Sequence, residues 1–156
     1  NWKLLGKKEI YIPYHSYALS TSGVKYEDLL KPGHLNPDLT RYEKHRVWVV
    51  EANLKNGARH VYNKRRFFLD EDTWGIAVAD QYDSAGDIWR VSMAYVKNYY
   101  ELPVTLTSLD VFHDLKARRY HLQGLESEES KSVDFSLDLP NEQFFTPSGL
   151  RRRGKR

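Results

Sequence analysis

Large apolar residues recur at every second position through most of this chain, and short clusters of turn residues interrupt them. A period of two is the repeat of a β-strand, and short connections allow only antiparallel neighbours. Residues 46–54 set the pattern. Trp48, Val50, Ala52 and Leu54 fall on one face, and Val47, Val49, Glu51 and Asn53 on the other. Lys55-Asn56-Gly57-Ala58 then reads as a hairpin turn, because Asn-Gly accepts positive φ at little cost. Residues 59–69 form the returning strand, and Asp70-Glu71-Asp72 a tight acidic turn. The third strand, 73–82, directs Trp74, Ile76, Val78 and Tyr82 one way and the small Gly75, Ala77 and Ala79 the other. After the turn at 83–87, residues 88–100 place Trp89, Val91, Met93, Tyr95 and Tyr99 on one face. These segments predict an up-and-down antiparallel meander.

Residues 104–115 and 119–125 extend the pattern as two more strands, although an amphipathic helix over 109–120 fits the same apolar spacing. Val133, Phe135, Leu137 and Leu139 alternate and predict a last strand ending at Pro140. Another strand is expected over residues 7–19, with Pro13 marking an edge or bulge. Between it and the meander, Tyr26, Leu29 and Leu30 suggest a short helix. Asn36-Pro37 then carries an N-cap followed by proline at the first helical position. Thr146-Pro147 repeats that signature ahead of a basic tail. The fold class is mainly β, an antiparallel sheet with a few short helices. Residues 1–145 form one β domain, and 146–156 a short helical turn and tail.

With 40% apolar and 13% aromatic residues in 156, the chain can bury a sizeable core. Charges interrupt every apolar run, so no transmembrane helix is expected. Cysteine is absent, which excludes disulfides, thiolate metal sites and cysteine nucleophiles. The net charge of +3 belongs to the C-terminus, where five of the 24 basic residues occupy the last six positions. That distribution argues against a nucleic-acid-binding body.

Catalytic motifs are missing: no GxSxG, no HExxH and no phosphate-binding glycine loop. The six histidines (His15, His34, His45, His60, His113 and His121) are scattered, and no cofactor or metal is expected. The acidic turns around Asp70 and Asp83 read as turn chemistry, with a calcium site as the competing reading. Tyr62-Asn63-Lys64-Arg65-Arg66-Phe67-Phe68 offers aromatic and basic groups to RNA, but cross-strand pairing explains it as well. The strongest signal is the apolar load of Trp48, Val50, Trp74, Ile76, Val78, Trp89, Val91 and Met93, read as one side of a sheet. Few helical residues remain to cover it. A ligand, a partner or a further segment would do so, with an ordinary core as the alternative.

The run HLNPDLTRYEKHRVWVVEANLKNGARHVYNKRRFFLDEDTWGIAVADQYDSAGDIWR, residues 34–90, resembles a family of Gram-negative envelope proteins of unknown function that are described as outer-membrane lipoprotein-sorting-like. FTPSGLRRRGKR, residues 145–156, resembles the C-terminus of that family. Members are longer and carry a signal peptide. The resemblance therefore implies the C-terminal part of a longer protein, in keeping with Asn1 at the start and Met93 as the sole methionine. It also implies an open, curved half-barrel like that of periplasmic lipoprotein carriers, and a place in the periplasm or at the outer membrane. No site residues follow from it. The expected function is non-enzymatic binding of a lipid or other hydrophobic ligand by the eight apolar residues above. The alternative is a docking module for an envelope transporter or outer-membrane protein.

Overall fold

The computed structural model describes residues 1–130 and 133–154. Seven antiparallel strands form one large sheet, ordered β1 (Trp2–Pro13), β4 (Tyr42–Asn53), β5 (Lys64–Asp70), β6 (Ile76–Tyr82), β7 (Ile88–Tyr99), β8 (Val104–Asp114) and β9 (Arg119–Gln123). From β4 onward each strand pairs with the next in sequence, as the alternation predicts, and the sheet does not close into a barrel. Residues 104–114 and 119–123 are strands joined by a turn, rather than a helix. The first strand adds to the outer edge of β4.

Pairing partners share a face, so the register identifies the core. Val49, Phe68, Val78, Met93, Val111 and Leu122 stand opposite one another in a single row across six strands. Over the β7–β9 end of this face lies the connector between β1 and β4. It contains a 3₁₀ turn (Tyr17–Ser20), helix α1 (Tyr26–Leu29), the short pair β2 (Leu30–Lys31) and β3 (His34–Leu35), and a second 3₁₀ turn (Pro37–Leu39). Leu19, Leu29 and Leu35 are buried against Tyr95, Leu109 and Val111. The sheet therefore has a cover over this face made by its own chain, which is the ordinary-core alternative for Val78, Val91 and Met93. Short irregular segments supply it, with apolar residues at turns rather than along a helical stripe.

Polar anchors fix the cover. The Tyr120 hydroxyl donates to the Lys31 carbonyl at 2.7 Å, and Tyr17 to that of Asn98 at 2.9 Å. Lys97, buried on β7, pairs with Glu126 and donates to Ser20 Oγ at 2.9 Å. Burial works against the Lys97 charge, and Glu126 outweighs it, so its pKa is raised. At the other end of the sheet β4 and β7 run past the short β5–β6 pair. Ile12 and Tyr14 fill the notch against Val47, Val49, Ala77 and Val96. The Tyr42 and Tyr95 hydroxyls meet at 2.7 Å although β5 and β6 separate their strands in sheet order, a measure of the curvature.

Three expectations fail for local reasons. The first strand is β1 at Trp2–Pro13 rather than 7–19; after Pro13 the chain turns away through His15, which has φ of +49°. The expected turn at 55–58 forms, with Ala58 N–H donating to the Lys55 carbonyl at 3.0 Å and Gly57 at φ +79°. The β4–β5 link is nevertheless a loop over 54–63, closed by Leu54 N–H donating to the Asn63 carbonyl at 2.9 Å, so the returning strand starts at Lys64 rather than 59. Residues 133–139 form no strand. Asp134 Oδ1 accepts from the Ser136 amide at 2.9 Å and hydroxyl at 2.6 Å, a local turn that competes with extended pairing. Helix α2 (Pro147–Gly154) starts at the expected signature, with Thr146 Oγ1 accepting from Gly149 N–H at 3.1 Å.

Leu29 is fully buried beneath the connector, whereas Leu4 on the opposite face is 59% exposed. Leu29→Ala is expected to lower the unfolding free energy by about 2–5 kcal/mol, and Leu4→Ala by no more than about 0.5 kcal/mol, in urea melts.

Candidate functional site: an aromatic sheet face and its cationic groove

The eight apolar residues singled out above do not share one face. Trp48 pairs with Leu69, and Val50 with Phe67, on the face opposite the core row. Val78 and Met93 belong to the core row, and Val91 shares their face. Trp48 and Val50 alternate with Val47 and Val49, and it is the latter pair that enters the core. Two bulges divide the rest. At a β-bulge Val78 pairs with Phe68 but Ile76 with Leu69, so two residues of equal parity point to opposite faces. A second bulge sets Gln81 against Arg90 and Tyr82 against Ile88, which leaves Trp89 between register positions. Its indole N–H donates to Asp114 Oδ1 at 3.1 Å, beside Arg90 rather than in line with Val91. Trp74 lies in the turn before β6, with φ of +59°. A large side chain takes that left-handed conformation only where its surroundings impose it.

What the structure brings together is Trp48, Val50, Trp74 and Ile76, joined by residues that sequence reasoning missed. Trp48 and Trp74 stack at 6.5 Å between ring centres, and Trp2 stacks on Phe67 at 5.8 Å. Leu4 pairs with Val50. Trp2 is 66% exposed, Trp74 68% and Ile76 48%. Trp2 and Leu4 escaped notice because they stand on β1 before a bulge at Leu4/Gly6, where Gly6 has φ of +100°. An ion-pair rim borders the patch. Lys7 Nζ lies 4.4 Å from the Trp48 ring centre, and Glu71 holds both Lys7 and Arg46 at 2.6 Å. These two bases hold the Glu71 carboxyl below the usual range, Lys7 contributing most.

Farther along the same face, over β6–β9, runs a groove of about 540 Å³. Its walls include Tyr62, Ser92, Phe112 and His121, with Arg90 and Arg119 at one side. Arg90 donates from Nη1 to the Tyr62 hydroxyl at 2.8 Å and from Nε to Asp114 Oδ2 at 3.2 Å. The Ala117 amide, then Arg90 and Trp89, hold the Asp114 carboxyl below its ordinary range.

One metal-compatible set occurs among the described residues: His45, Asp70 and Asp72. Asp70 is buried and both its oxygens are engaged. Oδ1 meets His45 Nδ1 at 2.9 Å, and Oδ2 accepts the Thr73 amide and hydroxyl at 3.1 and 2.8 Å. This locks the β5–β6 turn, the role expected of these acids.

Residues 1–151 match the family described as protein of unknown function DUF1329. The chain belongs to that family. An uncharacterized protein of Pseudomonas aeruginosa, PA3922, is 48% identical over all 156 residues. The chain spans 34% of that protein's length. A DUF1329 family protein from Desulfovibrio piger is similar over 96% of this chain and 46% of its own, with 12% identity and a TM-score of 0.47. A domain from Vibrio parahaemolyticus named for outer membrane lipoprotein sorting aligns over 67% of this chain and 48% of its own, with 14% identity and a TM-score of 0.41. The family resemblance read from residues 34–90 thus holds for DUF1329. No described helix is long and apolar enough to cross a membrane.

His113 faces the core on β8, its ring stacked on Tyr120 at 5.7 Å. Burial, and then the neighbouring His34, push its pKa below the ordinary 6.5. The unfolded chain therefore takes up this proton at a higher pH than the folded one, so stability should fall as pH drops through 6.5. Melts from pH 8 to pH 5 are expected to show that decline, and His113→Phe to reduce it.

Proposed function

We propose that this protein binds a lipid or another hydrophobic molecule in the Gram-negative cell envelope, without enzymatic turnover. The observation that carries the reading is the contiguous aromatic face of Trp2, Leu4, Trp48, Val50, Phe67, Trp74 and Ile76, on which Trp2, Leu4, Trp74 and Ile76 are exposed among the described residues while the chain's own connector covers the opposite face. Indole rings are costly to leave in water unless something covers them. An acyl chain laid across them gains about 0.8 kcal/mol per buried methylene, so ten methylenes gain roughly 8 kcal/mol before the cost of association. The lipoprotein-sorting resemblance of residues 34–90 supports the envelope setting, a periplasmic or outer-membrane-associated place, and a role in lipid or lipoprotein transfer.

A second reading rests on β1. This strand pairs only with β4 among the described residues and is exposed along most of its length. An edge of that kind accepts a strand from another protein, such as an envelope transporter or an outer-membrane component, with no small ligand involved.

Native mass spectrometry of the protein purified from a Gram-negative periplasm separates the two. Ligand binding predicts a co-purifying hydrophobic species that organic extraction removes, and weaker rebinding by Trp48→Ala that keeps its fold. A clean apo mass, together with capture of one envelope protein by lipid-stripped material, would favour docking.

A further inference from the structure

The second face carries an ordered row of charge. Arg65, Gln81, Arg90, Asp114 and Arg119 stand opposite one another on five consecutive strands. Three guanidinium groups thus share a line with one carboxylate, and that carboxylate is already occupied. Asp114 Oδ1 accepts from the Trp89 indole and from the Ala117 amide at 3.0 Å, and Oδ2 accepts from Arg90. Arg90 has further N–H groups beyond the two bound to Tyr62 and Asp114. Arg65 and Arg119 have no ion-pair partner among the described residues. The groove beside this row also holds the Gln81 side chain, whose Nε2 donates to Ser92 Oγ at 3.1 Å. Its Oε1 is buried without a hydrogen-bond partner among the described residues. His121 stacks on Phe112 at 6.0 Å and forms part of the groove wall. Asp110 also stands on this face, two residues along β8 from Phe112 and outside the groove lining.

The groove is continuous with the aromatic patch. Phe67 pairs with Ala79, Ala79 with Ser92, and Ser92 with Phe112. Only the small side chains of Ala79 and Ser92 separate the two phenyl rings along this row. Three strand spacings, about 14 Å, span the distance.

We infer that the groove binds the anionic headgroup, a phosphate or carboxylate, of an amphiphile whose apolar chain lies on the patch of Trp2, Trp48, Phe67 and Trp74. The inference rests on the ligand reading above and names its chemical class. Planar guanidinium groups suit such an anion because they present paired N–H donors to two oxygens at once. Arg119 supplies the uncommitted charge, and Arg90, braced by Tyr62 and Asp114, supplies a positioned one.

The test is calorimetric titration of the full chain with octyl phosphate, 1-octanol and inorganic phosphate, each also against Arg119→Gln and Arg65→Gln. Arg119 is exposed on the last strand of the sheet, so unchanged melting temperatures are expected for that variant. Octyl phosphate should bind at least tenfold more tightly than octanol. Arg119→Gln should remove most of that difference and leave octanol unchanged. Equal affinities for octyl phosphate and octanol in wild type and both variants would overturn the headgroup assignment while leaving the hydrophobic-ligand reading intact. Inorganic phosphate that binds as tightly as octyl phosphate and is lost in Arg119→Gln, with no octanol binding, would assign the groove to a free anion and overturn the amphiphile. Failure of both phosphates to bind overturns the groove whatever octanol does.

Discussion

The row Val49–Phe68–Val78–Met93–Val111–Leu122 is the surface on which the rest of the molecule depends. A sheet has two faces, and a chain of this size can bury only so much of them. Here the connector between the first and second long strands is committed to one face through Leu19, Leu29 and Leu35. That choice leaves the other face with its tryptophans near solvent and its arginines in a line. Which face is buried and which is exposed follows from where the connector lies.

Bulges distribute the side chains between these two faces. Without the irregularity at Phe68/Leu69, Ile76 would join Val78 in the core; with it, Ile76 stands on the aromatic face. The irregularity at Gln81/Tyr82 likewise turns Trp89 toward Asp114 and Arg90. Each inserts one residue into a strand, and one residue is enough to exchange faces.

Much of this architecture is legible in the sequence. The meander from β4 to β9 follows from alternation and turn composition, and the short helical turns follow from Asn36-Pro37 and Thr146-Pro147. The site is legible only in part. Strict alternation puts Ile76 with Val78 because a bulge leaves no mark in a hydrophobic pattern, and it does not reveal that Val47 and Val49, rather than Trp48 and Val50, are the core side of β4. The Trp2 contribution depends on β1 returning to pair with β4, a contact between residues far apart in the chain. The arginine row needs four registers to be known at once. The alternation over 133–139 misleads for the opposite reason: Asp134 and Ser136 satisfy each other locally, and the segment makes no strand pairing.

The central claim is that the aromatic face, and not the space beneath the connector, meets the hydrophobic ligand. Photolabelling with a fatty acid that carries a diazirine near its chain end, followed by peptide mapping, addresses it directly. The account predicts adducts on residues 2–5, 48–50, 67 and 74–76. Adducts concentrated on residues 17–39 and on Leu109 or Val111 would place the ligand inside the core and contradict the account.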